Sequence, residues 1–248
     1  MGCQYCHVRW LGKMEFKAAW NLQKEMAARR LAQKIPDTLL LMEHPPAYTA
    51  GFEGHREHLL IGAEEMVRRD ISYYEVDRSG PIIYHGPGQL VGYPILNLRE
   101  CGYSYHDYIR LLEKVIIHAL SAFNIRAVRE PGRSGVWVVH SPISDGPHPN
   151  DEGVAMIATI GVNVDKRHIT RHGFFVNVNL NPEHFDLIVP YGFKARHTTS
   201  LQRVLNKPVE TRMVIETVVQ SFSHIFNMEL VESQLTMASP TRKQPIGV

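Results

Sequence analysis

The sequence lacks most of the features that announce a function. Its 248 residues hold three cysteines, Cys3, Cys6 and Cys101. An odd number in a chain of this length forms no disulfide framework, so reduced thiols are expected. No apolar run approaches the roughly 20 residues of a membrane-spanning helix. The opening MGCQYCHVRWLGK has no apolar core of signal-peptide length, so the expected compartment is the cytoplasm. A formal charge of +2 falls short of the concentrated basic face that nucleic acid requires. The G-x-S-x-G elbow of a Ser-His-Asp hydrolase is absent, and so is H-E-x-x-H, despite 14 histidines. His55 and His58 in GHREH have no matched cysteine or carboxylate set, so no metal is expected. Cys3-Gln4-Tyr5-Cys6-His7 fits the haem pattern C-x-x-C-H, but such attachment belongs to exported chains, and no cofactor is expected. MGCQYC begins like a myristoylation site but has Cys6 where Ser or Thr is needed.

What remains is a composition of 44% hydrophobic and 21% charged residues with no long linker, which suits one domain over 1–248. Near-helical spacing of Phe16, Ala19, Trp20, Gln23 and Met26 predicts a helix over 15–31. Tyr108, Leu111, Leu112, Val115, Ile116, Ala119, Leu120 and Phe123 predict another from Tyr105 to about Asn124. Pro208 is expected to open a last helix with Val214, Val218, Phe222 and Phe226 on one side. Between these, DTLLLMEH, ISYYEVDRSG, SGVWVV, VAMIATIGVNV and HGFFVNVNL read as strands. SGVWVV and VAMIATIGVNV form a hairpin across an oversized loop, about 140–153. A polar tail from about 233 reads as disordered. The fold class is α+β, helices on a mixed and mostly antiparallel sheet.

The stretch IIYHGPGQLVGYPI places Gly-Pro-Gly after a Tyr-His pair. A phosphate loop needs successive backbone N–H groups leading into a helix, whereas Pro87 removes a donor and a β-rich run follows. Two readings stay open: a plain strand corner, or a rigid turn presenting Tyr84, His85 and Gln89 beside backbone that a ligand can approach. Cys101 reads either as a nucleophile at a strand end or as an inert thiol.

Taken in series, LLLMEHPPAYTAG, RSGPIIYHGPGQLVGYPI, SGVWV, IATIGVNV, ITRHGFFVNVNLNPEHFDLIVPYGF and TTSL resemble the lipoyl(octanoyl) transferases of lipoate biosynthesis over a core of about 8–230. The resemblance implies the catalytic-domain fold of biotin and lipoate protein ligases. It also implies transfer of an octanoyl group from acyl carrier protein to the lysine of lipoyl domains, in 2-oxoacid dehydrogenases and the glycine cleavage H protein. An acyl pocket is implied along Arg78, Ser79, Gly80, Pro81, Ile82, Ile83, Tyr84 and His85, with Thr159, Ile160, Gly161, His172, Gly173 and Phe174. Gly80, Gly86, Gly161 and Gly173 are expected to leave room for a narrow tunnel, and backbone N–H groups to hold a carbonyl oxygen.

The chain departs from the family pattern at the reacting pair. Where that pattern reads PCG, with the cysteine that carries the acyl thioester, this sequence reads Pro190-Tyr191-Gly192. Where it reads K-I-A-x-I-G, this sequence has Met156-Ile157-Ala158-Thr159-Ile160-Gly161. A lysine beside a cysteine raises the thiolate fraction, and neither methionine nor a neutral phenol does so. Three readings follow. The first is transfer without a covalent step, with His85 or His172 taking the proton of the attacking lysine. The second is a non-catalytic binder of acyl groups or lipoyl domains. The third is an adenylate-forming ligase, echoed only in EPGRSGVWV. Arg126, Arg129, Arg133, Arg171, Lys194 and Arg196 are candidates for a patch facing acidic acyl carrier protein, or are ordinary surface charges.

Overall fold

A computed structural model describes residues 5–139, 154–180, 182–189 and 198–232. Tyr191, Lys194, Arg196, the 140–153 loop and the tail from 233 lie outside the described residues, as does Cys3.

In chain order the elements are β1 (Tyr5–Lys13), α1 (Phe16–Leu31), β2 (Asp37–Glu43), β3 (Ala47–Ala50), α2 (Ala63–Arg68), β4 (Ser72–Glu75), β5 (Ile82–His85) and β6 (Gln89–Ile95). There follow α3 (Leu98–Cys101), α4 (Tyr105–Ser121), β7 (Ala127–Val128), β8 (Gly135–Val139), β9 (Val154–Val164), β10 (Thr170–Asn177), α5 (Leu201–Leu205), α6 (Thr211–Phe226) and β11 (Glu229–Glu232). The strands divide between two sheets, where the sequence suggested one. The larger has the order β11-β1-β2-β6-β10-β9-β8-β7, parallel at β11-β1-β2 and antiparallel beyond. The smaller is β4-β3-β5, with Tyr48 paired to Tyr84. The β8–β9 hairpin forms as expected, with Val139 opposite Val154.

The helices follow from their apolar faces. α4 starts where Ser104 and Asp107 cap each other's backbone N–H groups. It buries Tyr108, Leu112, Val115, Ile116, Ala119 and Leu120 against the large sheet and against Val214, Ile215, Val218, Phe222 and Phe226 of α6. At about 1.5–3 kcal/mol for each large side chain fully buried, this layer is a main source of stability. The opposite sheet face is covered by α1, whose Ala19, Met26 and Ala27 pack on Leu40, Met42, Ile83, Val91, Tyr93 and Phe175. Glu113 is buried in α4, where its carboxylate meets Arg110 at 2.8 Å and Arg129 at 2.9 Å and accepts the N–H of Gly135. It thereby ties the start of β8 to the helix. Cys6 is a buried free thiol, whereas Cys101 is disulfide-bonded, against the expectation of reduced thiols.

Candidate functional site

The stretch from Asp77 to Gln89 is held from three sides, and Arg78 is its centre. Its guanidinium is fully buried. Nη1 donates to the carbonyls of Ser79 and Pro81, and Nη2 to the carbonyl and hydroxyl of Thr49, all within 3.0 Å. A buried cation is tolerated only when donors are spent in this way. The Ser79 N–H donates to the Val162 carbonyl of β9 at 2.9 Å, which docks the stretch on the large sheet. Gly161 sits beneath the Arg78 stem, and a Cβ there would lie 3.1 Å from Arg78 Cδ.

His85 continues the network. Because Thr49 Oγ1 accepts from Arg78, its hydroxyl proton goes to His85 Nε2 at 3.0 Å, and His85 Nδ1–H donates to Gln89 Oε1 at 2.9 Å. Gln89 Nε2 donates to the Tyr84 carbonyl and to Asn177 Oδ1, and Asn177 donates to the Thr199 carbonyl. Thr199 N–H in turn reaches the Met156 carbonyl at 2.9 Å, and Thr198 bridges Met156 in parallel. One chain of bonds therefore links the Tyr84-His85 pair to the position that carries lysine in the family pattern. The Met156 side chain is buried, and its sulfur accepts from the Thr159 hydroxyl at 3.6 Å.

His172 stands in the left-handed region at φ 56°. Its N–H donates to Gln23 Oε1 and its Nε2–H to Asp77 Oδ1 at 3.1 Å, and its Nδ1 has no partner. Burial lowers the proton affinity of His172 to a pKa of about 4, although the Asp77 bond opposes this. For His85, burial and then the neighbouring His44 and Arg78 push the pKa well below the ordinary imidazole value. Burial alone would raise the Asp77 carboxyl, but the His172 bond and the Arg171 charge outweigh it and hold the acid well below its usual range.

Not all the expected residues meet in one space. Ile82 and Tyr84 pack with Tyr48, Phe185 and Ile188, Ile83 belongs to the α1 side, and Ile160 and Phe174 belong to the core under α4. At two of the four glycines expected to leave room, the space is filled by protein. At Gly86 a Cβ would run into the Tyr84 hydroxyl, and at Gly173 into the Gly92 carbonyl. Among the described residues one open cavity, of about 600 Å³, is lined by Ser79, Gly80 and Pro81 together with His55, His58, Tyr105 and Arg133, among others. His55 and His58 were visible as GHREH, but their place here depends on the Leu59–Ile188 bridge, which no local pattern reveals. Among the described residues no three His, Cys, Asp or Glu side chains converge as a metal ion would require. Of the expected basic patch, Arg129 meets Glu113, Arg133 meets Glu130 and Arg171 meets Asp77, each within 2.9 Å, whereas Arg126 is exposed. On α1 the exposed Lys17 and Lys24 have no carboxylate partner among the described residues and lie 4.6 and 3.9 Å from the Trp20 ring centroid.

The architecture is that of lipoate protein ligase catalytic domains. A bipartite lipoate protein ligase from Thermoplasma acidophilum superposes with a TM-score of 0.65 at 12% identity, covering 96% of this chain and 89% of that one. A lipoate-protein ligase A solved with ATP gives 0.63 at 11% identity. The lipoyl protein ligase A/B catalytic domain matches residues 15–223. Octanoyltransferases of Caldicellulosiruptor bescii and Geobacter metallireducens are 39% and 40% identical over 226 and 223 residues, 90% of this chain in each case and 92% and 94% of theirs. The chain belongs to the lipoyl protein ligase A/B catalytic domain family, among its octanoyltransferases.

Proposed function

We propose that this chain transfers an octanoyl group from acyl carrier protein to the lysine of a lipoyl domain by direct aminolysis. The observation that carries the reading is similarity to octanoyltransferases over nine-tenths of the chain, with the Arg78-centred wall built as a rigid unit. An acyl-enzyme has no support in Met156, which is buried and uncharged, and Tyr191 would have to react as a phenol, ordinarily neutral at pH 7. Proximity alone supplies about 7 kcal/mol or more of barrier lowering when amine and thioester are held in line. The acyl group would lie along the segments 78–85, 159–161 and 172–174. The acidic carrier would be met by Lys17 and Lys24 on either side of Trp20. Trp20 Nε1 donates to Asp77, next to Arg78, so that ridge adjoins the wall. The recipients are lipoyl domains of 2-oxoacid dehydrogenases and the glycine cleavage H protein. The non-catalytic reading is not favoured, because the relatives at 36–40% identity over nine-tenths of the chain are octanoyltransferases.

The test is to incubate the chain with octanoyl acyl carrier protein and a lipoyl domain, then read the mass of the domain. Octanoylation above the uncatalysed rate is expected, and Tyr191→Phe is expected to leave it unchanged. No transfer by the native chain, with transfer by a Met156→Lys, Tyr191→Cys double variant, would overturn direct aminolysis.

A further inference from the structure

We infer that His58, in the cavity beside Gly80, is the base that takes the proton of the acceptor lysine; this rests on the octanoyl-transfer reading above. Aminolysis needs such a group. The lysine Nζ forms a bond to the thioester carbonyl carbon and one proton leaves that nitrogen. The C–S bond then breaks, the same proton goes to the departing sulfur, and an amide and a free thiol result with the base restored.

The histidines of the wall do not serve. His44, His85 and His172 are all fully buried. His44 is bonded at both nitrogens, to the Met14 carbonyl and the Tyr93 hydroxyl, and His85 at both, to Thr49 and Gln89. Burial brings His44 and His172 down to about 4, so protonating either is costly at neutral pH. These rings fix the wall, and the earlier expectation of His85 or His172 as base gives way.

His58 differs in its setting. It is half-buried and lines the same cavity as Ser79, Gly80 and Pro81. Among the described residues its Nδ1 is buried without a hydrogen-bond partner, so proton exchange with a ligand in the cavity falls to Nε2. Its backbone is fixed on both sides, because Val189 N–H donates to the His58 carbonyl at 2.8 Å and Leu60 N–H to the Leu187 carbonyl at 2.9 Å. The charged and titratable groups around the ring are Glu53 and His55 of the same loop, the adjacent Arg56 and Glu57, and Tyr105 and Arg133 across the cavity. His55 stands edge-on with ring centroids 5.5 Å apart. Arg133 is paired to Glu130 at 2.9 Å, which screens its charge from an imidazolium.

Initial rates of lipoyl-domain octanoylation by the full chain, from pH 6 to 9, test this. His58→Gln is expected to lower kcat about a hundredfold, the low end for general base catalysis, with KM nearly unchanged and the acid limb of the profile lost. Because His58 bonds the fold through its backbone alone, the variant is expected to keep its melting temperature. His58→Ala with added imidazole is the second variant, and recovery of rate supports the assignment. A wild-type rate and acid limb in a folded His58→Gln protein would overturn it while leaving octanoyl transfer standing. A native chain that transfers nothing overturns the transfer reading and the base together.

Discussion

Replacing His44 by glutamine isolates how much of the fold's acid sensitivity comes from one buried imidazole. His44 Nδ1–H donates to the Met14 carbonyl at 2.7 Å, and Nε2 accepts from the Tyr93 hydroxyl at 2.8 Å. Protonating Nε2 turns that acceptor into a second donor facing a hydroxyl, inside a fully buried site. Burial accordingly lowers the His44 pKa from 6.5 to about 4. A folded-state pKa below the unfolded one means that the unfolded chain binds more protons in between. Stability is therefore complete above about pH 6.5 and is lost as the pH falls toward about 4. At pH 4.5 the loss amounts to about 2 to 3 kcal/mol from this residue. His172, lowered equally, adds a similar share in the same window, and Asp77, held below the usual carboxylate range, adds its loss only at more acid pH. Glutamine keeps one donor and one acceptor but does not titrate. Urea midpoints at pH 7.5 and 4.5, with constant m-values, should show the acid loss of His44→Gln reduced by about 2 to 3 kcal/mol relative to the native chain. Equal losses in the two proteins would refute the reasoning, whatever the absolute stability of the variant.

Glu113→Ala leaves the Arg110 and Arg129 guanidiniums without their buried anion and Gly135 N–H without its acceptor. It should cost about 3 to 5 kcal/mol by thermal or urea unfolding, and a loss under about 1 kcal/mol would refute that role. A Lys17→Glu, Lys24→Glu double variant should raise KM for octanoyl acyl carrier protein severalfold at low salt with kcat unchanged, and should leave transfer from uncharged octanoyl pantetheine unaffected. An equal effect on both donors would show that α1 does not meet the carrier. Met156→Lys alone should destabilise the chain at neutral pH and recover as the pH rises toward about 10, because a desolvated ammonium titrates early. A flat pH response of its urea midpoint would contradict a desolvated site.

Legibility in the sequence followed the range of the interactions. α4 was readable because Tyr108, Leu112, Val115 and Ile116 repeat at the helical period. α6 was placed too early: Val209 is strapped to Asn179 by two hydrogen bonds, so the helix after Pro208 waits until Thr211. The short α5, capped by Ser200, went unread in TTSL. The split into two sheets depends on the Tyr48–Tyr84 register, which only tertiary packing sets. In the site, the order of RSGPIIYHGPGQ pointed to a wall. That Arg78 holds the wall, and that the Tyr84 ring occupies the space at Gly86, could be seen only in three dimensions.

The joint absence of lysine and cysteine follows from where the first of them would stand. Position 156 lies in β9, paired to Trp137 of β8 and bonded through its carbonyl to Thr199, with its side chain against Thr159 and almost no exposure. An ammonium held there needs an anion nearby, because an unpaired buried charge costs several kcal/mol. In the family pattern the cysteine thiolate supplies that anion, and a neutral phenol does not. Once the thiol is gone, lysine at 156 is a liability to the fold, and an uncharged side chain of similar length removes it while the backbone bonds persist. The Arg78, His85 and Gln89 network reaches the Met156 carbonyl through the Asn177 side-chain amide and the main chain of Thr199. The bonds that hold this stretch therefore do not depend on which side chain position 156 carries.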